Sequence, residues 1–232
     1  MRFIVANWKS GMNATQIVAF QDQWNQKSLT WDEDVRVVIA PPDPHYVAFY
    51  NDACAGVYPC LQHISALTGA AHTGSITPET ISDCLPSYTI LGHSERRREY
   101  GEDNRQVLAQ AQILWQLQIE PIICVDADTF ADMFAQIEAF DPHLQHQCLF
   151  AYEPAGAIGT GHNLDPQELD HIIGDFRRHH GDFFPVLYGG SVTPDNAASY
   201  APYCDGLLVG GASRQADSFY QIIHNFIASD QT

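Results

Sequence analysis

Lysine is almost absent from this 232-residue sequence, in which only Lys9 and Lys27 occur. The chain has 11 Lys and Arg residues against 28 Asp and Glu residues, which gives a formal net charge of −17. This acidic balance argues against the basic surface that nucleic-acid binding requires. An anionic small molecule would therefore have to be held by local features such as one lysine, helix N-termini or backbone amides.

The six cysteines form no CxxC pair and no spacing typical of a metal site. Several lie in apolar runs, where reduced, buried cysteine is the usual state. The opening apolar run, interrupted by Asn7 and Lys9, is too short for a signal peptide, and no stretch approaches the length of a membrane span. We therefore expect a cytoplasmic protein without a metal site and without membrane contacts.

Short apolar runs recur along the chain at roughly 25–35-residue spacing, as repeated strand–helix units require. Several are continuous rather than alternating, which is typical of parallel strands buried on both faces. The predicted strands are Arg2–Asn7, Val35–Ala40, Val57–Leu61, Tyr88–Gly92, Pro121–Val125, Cys148–Tyr152, Pro185–Tyr188 and Gly206–Val209.

Helical patterns separate these strands. Apolar spacing predicts helices over Thr15–Gln26, over Asp103–Leu117 with Asp103 as its N-cap, and over Gln167–His179 after an Asp-Pro start. Thr193 and Ser213 are expected to begin two more. Because composition does not shift along the chain, residues 1–232 are predicted to form one domain, a single (β/α)₈ barrel with eight parallel strands.

Polar residues follow several of the predicted strands at their carboxyl ends, which is the catalytic face of such a barrel. Asn7 and Lys9 follow the first strand, His93 and Glu95 the fourth, and Glu153 the sixth. A histidine at a helix N-terminus favours the neutral form, which can donate a proton to a carbonyl oxygen. A carboxylate partly removed from water can act as a general base.

Each of these residues also has a purely structural interpretation: a surface lysine, a packed histidine and an acid in an ion pair. Their shared position at the barrel mouth favours the chemical one. Two glycine pairs, Gly189-Gly190 before Ser191 and Gly210-Gly211, follow the last two strands. One pair alone would indicate a tight turn, but two at neighbouring strand ends favour a phosphate site.

Five motifs together resemble the triosephosphate isomerase family. They are NWK (7–9), ILGHSERR (90–97), AYEP with AIGTG (151–161), YGGSVTPDN (188–196) and DGLLVGGAS (205–213), in the family's order and spacing. The resemblance covers residues 1–228. It implies interconversion of glyceraldehyde 3-phosphate and dihydroxyacetone phosphate, phosphorylated small sugars, through a cis-enediolate without a metal or a cofactor.

The resemblance also implies roles. Glu153 would move the proton between C1 and C2, and His93 would polarise the carbonyl as a neutral electrophile. Lys9, supported by Asn7, would stabilise the enediolate, with Glu95 as a partner behind it. The phosphate would be bound near Gly159, Ser191, Gly210 and Gly211. The lid that closes over the site would comprise Pro154, Ala155, Gly156, Ala157, Ile158, Thr160 and Gly161.

Family members are usually homodimers in which a loop after the third strand enters the partner's site. Residues 62–74 resemble that loop, with Thr73 at the position that reaches the other subunit. The resemblance therefore predicts a homodimer.

The chain departs from the family in the lid and in two loops. Ala155 and Gly156 replace a β-branched residue and a Trp, and Ala127 after Asp126 replaces a Glu. The segment 124–152 is shorter than is usual in the family. In the loop 62–74, His63 replaces an Asn and His72 replaces an aromatic residue. We expect a more flexible lid hinge, with closure less favourable by about 1 kcal/mol and turnover several-fold lower.

Two other functions remain open from the sequence. A roomier lid would suit an isomerase of a related ketose phosphate, such as a tetrulose phosphate. A non-catalytic paralogue that binds phosphate ligands is the alternative from another class. Retention of Lys9, His93 and Glu153 together argues against the second.

Overall fold

A computed structural model describes residues 1–27, 31, 33–52, 54–140, 147–154, 163–182 and 184–228. Its strands form a closed, all-parallel barrel in which each strand pairs with its neighbours in chain order and the last pairs with the first. The strands are β1 Arg2–Asn7, β2 Val35–Ala40, β3 Val57–Leu61, β4 Tyr88–Leu91, β5 Glu120–Val125, β6 Leu149–Tyr152, β7 Val186–Tyr188 and β8 Gly206–Val209. Every predicted strand is present, with bounds within one residue.

In the described chain an α-helix follows every strand except β3. The helices are α1 Ala14–Asn25, α2 Tyr46–Asn51, α3 Ser94–Tyr100, α4 Asn104–Gln116, α5 Phe130–Phe140, α6 Pro166–His180, α7 Ala197–Tyr200 and α8 Ala216–Ala228. The fold is thus the predicted (β/α)₈ barrel, although the helices are not distributed one to a strand. Between β3 and β4 the described chain has only the 3₁₀ turn Pro78–Ile81, whereas α3 and α4 both follow β4.

The helix starts follow local capping chemistry. The carboxylate of Asp103 accepts the N–H of Gln106 and that of Asp165 accepts the N–H of Gln167, so both predicted N-caps are confirmed. The starts predicted at Thr193 and Ser213 are wrong. Thr193 lies in a turn closed by Asn196, and α7 begins only at Ala197. The Ser213 hydroxyl donates to carbonyls behind it, inside the 3₁₀ turn Gly211–Arg214.

Strand alternation divides the core into two layers. Phe3 and Val5 of β1 point into the barrel, where they pack with inward residues of the other strands. Ile4 and Ala6 point outward against the helices. This alternation buries both faces of every strand, as parallel barrels require.

The seam between β1 and β8 depends on a glycine. Gly206 pairs with Phe3, and a Cβ at Gly206 would lie 2.0 Å from the Phe3 carbonyl oxygen. Since that neighbour is backbone, the barrel closes in this register only with glycine here.

None of the helices in the described ranges has the length and apolar character needed to cross a bilayer. Across the same ranges, no three or more His, Cys, Asp or Glu side chains are grouped as metal ligands.

Candidate active site

A cavity of about 510 Å³ opens at the carboxyl ends of the strands. Its lining includes Asn7, Lys9, His93 and Glu153, which the sequence predicted to meet at this face. The strands bring together residues that are more than 140 positions apart in the chain, because all of their carboxyl ends lie at the same end of a closed parallel barrel. The two glycine loops after β7 and β8 complete the wall.

His93 is the N-cap of α3, and the hydrogen bond that its side chain accepts indicates the tautomer of the ring. Nδ1 accepts the Glu95 N–H at 3.2 Å, so this nitrogen carries the lone pair. The proton of the neutral ring is therefore on Nε2, which lies 3.0 Å from Oε1 of Glu153. The neutral imidazole thus presents an N–H donor to the cavity, as the predicted electrophile must.

Glu153 follows β6 and is 4% exposed, so its carboxylate is almost completely removed from water. One oxygen lies against His93, and the other accepts the backbone N–H of Ser94 at 2.8 Å. Gly189 makes room for it, since a Cβ there would lie 3.0 Å from Cγ of Glu153. Among the described residues, the acid is held by replaceable hydrogen bonds at the cavity wall and not by an arginine or lysine.

Lys9 is held in an unusual backbone conformation. Its φ is 52°, in the left-handed region that residues with a Cβ seldom adopt. Oδ1 of Asn7 accepts the Lys9 N–H at 3.1 Å, and Nε2 of Gln62 donates to the Lys9 carbonyl at 2.8 Å. These two amides stabilise the turn that aims the lysine at the cavity.

The ammonium of Lys9 lies 2.7 Å from Oε1 of Glu95. Partial burial opposes ionisation of Glu95, but the hydrogen bond and charge of Lys9 outweigh it, so the pKa of Glu95 is lowered from its ordinary value. Glu95 is therefore ionised near neutral pH and fixes the direction of the lysine.

The glycine loops approach the cavity closely. A Cβ at Gly210 would lie 3.8 Å from Cε of Lys9, which places this loop beside the lysine. Ser191 lies in the loop after β7, where its carbonyl accepts from the Asn196 side chain at 3.0 Å. Gly190, Ser191, Gly210 and Gly211 all line the cavity, as the predicted phosphate site requires.

Some of the predicted residues lie outside the described part of the chain. Gly159 and the lid positions Ala155, Gly156, Ala157, Ile158, Thr160 and Gly161 belong to this group. Of the predicted lid only Pro154 is described, directly after Glu153. The expected effect of the hinge on turnover therefore stays a prediction.

The predicted dimer loop, residues 62–74, projects from the barrel. Thr73 is exposed, as are the apolar residues Leu67, Ala70 and Ala71. The loop is held by hydrogen bonds within the chain, among them one from the Gly69 N–H to the Glu79 side chain in the following 3₁₀ turn, at 2.8 Å. Its shape is thus fixed without a partner chain.

Sequence reasoning missed four residues that the structure places at the site. Gln62 braces Lys9, and the Ser94 N–H binds Glu153. Arg97 donates to the carbonyls of Gly92 and Cys124 behind the site. Arg214 lines the cavity itself. Only Arg214 had a visible signal, a cation directly after the second glycine motif; the others depend on contacts that no local pattern reports.

A closed (β/α)₈ barrel with a neutral imidazole, a buried acid and a lysine at its carboxyl-end mouth defines an acid–base enzyme of the barrel class. The family model for triosephosphate isomerase matches residues 2–226. The chain belongs to the triosephosphate isomerase family, and it is an enzyme of the isomerase class.

Curated relatives agree over nearly the full length. A triosephosphate isomerase of Acinetobacter baumannii is 32% identical, with 98% of this chain and 97% of the relative aligned. Those of Mycoplasmoides gallisepticum and Halorhodospira halophila are each 31% identical, and the alignments cover 96% and 95% of this chain and 97% and 96% of the relatives. The resemblance drawn from the five motifs is therefore confirmed.

Proposed function

We propose that the cavity interconverts glyceraldehyde 3-phosphate and dihydroxyacetone phosphate, with Glu153 as the base and His93 as the electrophile. The observation that carries this assignment is the 3.0 Å contact between His93 Nε2 and Glu153 Oε1. A proton donor and a carboxylate side by side at one mouth suit the two steps of the reaction. One removes the proton from carbon, and the other supplies a proton to the carbonyl oxygen.

In the substrate complex, Glu153 exchanges its bonds to Ser94 and His93 for the carbon-bound proton of the substrate. The freed Nε2–H of His93 then points to the carbonyl oxygen. Lys9, held by Glu95 and Asn7, offsets the negative charge of the enediolate. Ser191, Gly210 and Gly211, together with Gly159, bind the phosphate. All of this chemistry lies within a single catalytic domain.

The test is a coupled assay on glyceraldehyde 3-phosphate with Glu153→Gln and, as a matched control, Glu168→Gln at an exposed position in α6. Loss of general-base catalysis should lower kcat by roughly 10²–10⁴-fold in the first variant and leave the second unchanged. Full activity in folded Glu153→Gln would refute the assignment. Turnover of a tetrulose phosphate alone, or phosphate binding without turnover, would point to the two alternatives.

We also propose a homodimer formed through the loop 62–74. The support is an exposed loop of fixed shape whose tip carries the apolar residues Leu67, Ala70 and Ala71. Thr73→Arg should convert the protein to a monomer in sedimentation measurements, because a buried, unpaired charge is costly. Ala135→Arg, on the exposed side of α5, is the control. A wild-type protein that sediments as a monomer would contradict the proposal.

A cytoplasmic location is proposed on separate grounds. All six cysteines are free and buried, which suits a compartment that keeps thiols reduced. Fractionation of cells followed by activity measurement tests it, and activity in a secreted fraction would contradict it.

A further inference from the structure

Arg214 occupies a position that the family motifs do not assign. It ends the 3₁₀ turn that follows β8, and its side chain lines the cavity that holds Lys9, His93 and Glu153. The guanidinium lies over two glycines. Its Nη1 is 2.4 Å from where a Cβ of Gly11 would be, and its Nη2 is 3.4 Å from where a Cβ of Gly211 would be.

The glycine pair after β8 is thus flanked by two cations. Lys9 lies on one side, 3.8 Å from the Cβ position of Gly210, and Arg214 lies on the other, beside Gly211. A phosphate bound at this pair would meet both charges. An arginine fork can donate two parallel hydrogen bonds to phosphate oxygens, which a lysine cannot.

The hydrogen-bonding capacity of Arg214 is largely unused. In the described part of the chain its hydrogen bonds are two long ones, both 3.4 Å, to the carbonyls of Gly211 and Gly11. Within the described ranges no carboxylate lies within ion-pair distance of it. Most of its five N–H donors therefore remain for a ligand.

Arg214 balances the net charge of the side chains at the cavity mouth. Lys9 is paired with Glu95 at 2.7 Å, and Glu153 adds a second negative charge to the wall. Without Arg214 these three groups sum to one negative charge, which opposes the approach of an anionic substrate. Arg214 brings the local sum to zero in a chain whose overall charge is −17.

We propose that Arg214 binds the phosphate group of the substrate and thereby sets the affinity of this site for phosphorylated over unphosphorylated sugars. The inference rests on the proposed function, since it assigns the phosphate of that reaction to the glycine pair. Arg214 acts on binding and does not touch the carbon atoms that exchange protons.

The experiment compares wild type with Arg214→Leu and Arg214→Lys. The KM for glyceraldehyde 3-phosphate and the inhibition constant for inorganic phosphate should both rise about fivefold in Arg214→Leu, with kcat unchanged. Arg214→Lys should recover part of the loss. Turnover of unphosphorylated glyceraldehyde should be the same in all three proteins. Arg178→Gln, an exposed residue of α6, controls for the change in total charge.

Several results would overturn the inference. An unchanged KM and phosphate inhibition in Arg214→Leu would do so, as would an equal loss of activity on glyceraldehyde, which indicates a structural role. An inactive wild type would instead defeat the proposed function. In that event Arg214 is still tested by the rise in melting temperature that inorganic phosphate causes at a concentration near its wild-type dissociation constant, because fivefold weaker binding in Arg214→Leu should remove most of that rise.

Discussion

His63, in the predicted dimer loop, belongs to a partly buried polar cluster. Nη2 of Arg96 donates to its Nε2 at 3.3 Å, and Glu102 lies 3.4 Å from its Nδ1. Burial and then the charge of Arg96 lower the pKa of His63 to about 4, although the Glu102 carboxylate opposes this. The ring is therefore neutral in the folded protein at a pH where the unfolded chain would protonate it.

The stability of the protein should consequently fall as the pH drops from 6.5 toward 4, because over this range the unfolded state binds the proton and the folded state does not. Between pH 7.5 and 5 the loss due to His63 is roughly 2 kcal/mol. His63→Asn cannot take up that proton. Urea unfolding at the two pH values should show a drop in the free energy of unfolding that is smaller by this amount in the variant. An equal drop in both proteins would contradict the pKa assignment.

Residues at the site also show the limit of sequence reasoning. Lys9, His93 and Glu153 were predictable as candidates because each lies within two residues of a strand end. The positive φ of Lys9 and the tautomer of His93 were not, since they depend on Gln62 and on the Glu95 N–H in the folded chain. Arg214 contacts Gly11, which lies 203 positions away in the sequence. A local sequence pattern cannot predict a contact between residues so far apart.

At the scale of the elements, β8 contains a glycine, Gly206, at a position with no room for a side chain. Gly206→Ala would place a methyl group 2.0 Å from the Phe3 carbonyl oxygen, so β1 and β8 would have to separate. We expect this change to destabilise the protein by about 1–3 kcal/mol, the usual cost of overpacking.

The matched control is Gly174→Ala in α6, where the nearest atom to the new Cβ is Nη1 of Arg178 at 3.4 Å. Where the space allows a Cβ, replacing a helical glycine with alanine should raise the free energy of unfolding by about 0.5–1 kcal/mol. Urea midpoints of the two variants should therefore move in opposite directions from wild type. A Gly206→Ala protein of normal stability would mean that the seam is not closed in this register.

Elements were the most predictable level of this structure. The bounds of β2 and β8 were predicted to the residue, because β8 is a continuous apolar run and β2 is one apart from Arg36. The N-caps Asp103 and Asp165 could also be predicted, because each carboxylate accepts a backbone N–H only two or three residues further along the chain. The helix start predicted at Ser213 was wrong because the sequence does not distinguish a hydroxyl that caps a helix from one that donates to preceding carbonyls.

At the scale of the whole molecule, all six cysteine thiols are buried. Each of the cysteines is at most 5% exposed, and burial raises the pKa of Cys54 and Cys204 to about 12. Thiolates are the reactive form, so the folded protein should be nearly inert to thiol reagents. We expect Ellman's reagent to titrate none of the cysteines in the native protein and all six in urea. Rapid reaction of a native thiol would show that part of the barrel opens readily.

The β1–β8 seam has a consequence for how the chain is made. Phe3 leaves the ribosome about 200 residues before its partner Gly206. At 5–20 residues per second the first strand waits roughly 10–40 s for that neighbour. Until then one edge of the growing sheet has free N–H and C=O groups and can pair with other nascent chains. The segment that carries β8 thus decides whether the molecule closes or aggregates, and slow translation lengthens the period in which a chaperone must cover that edge.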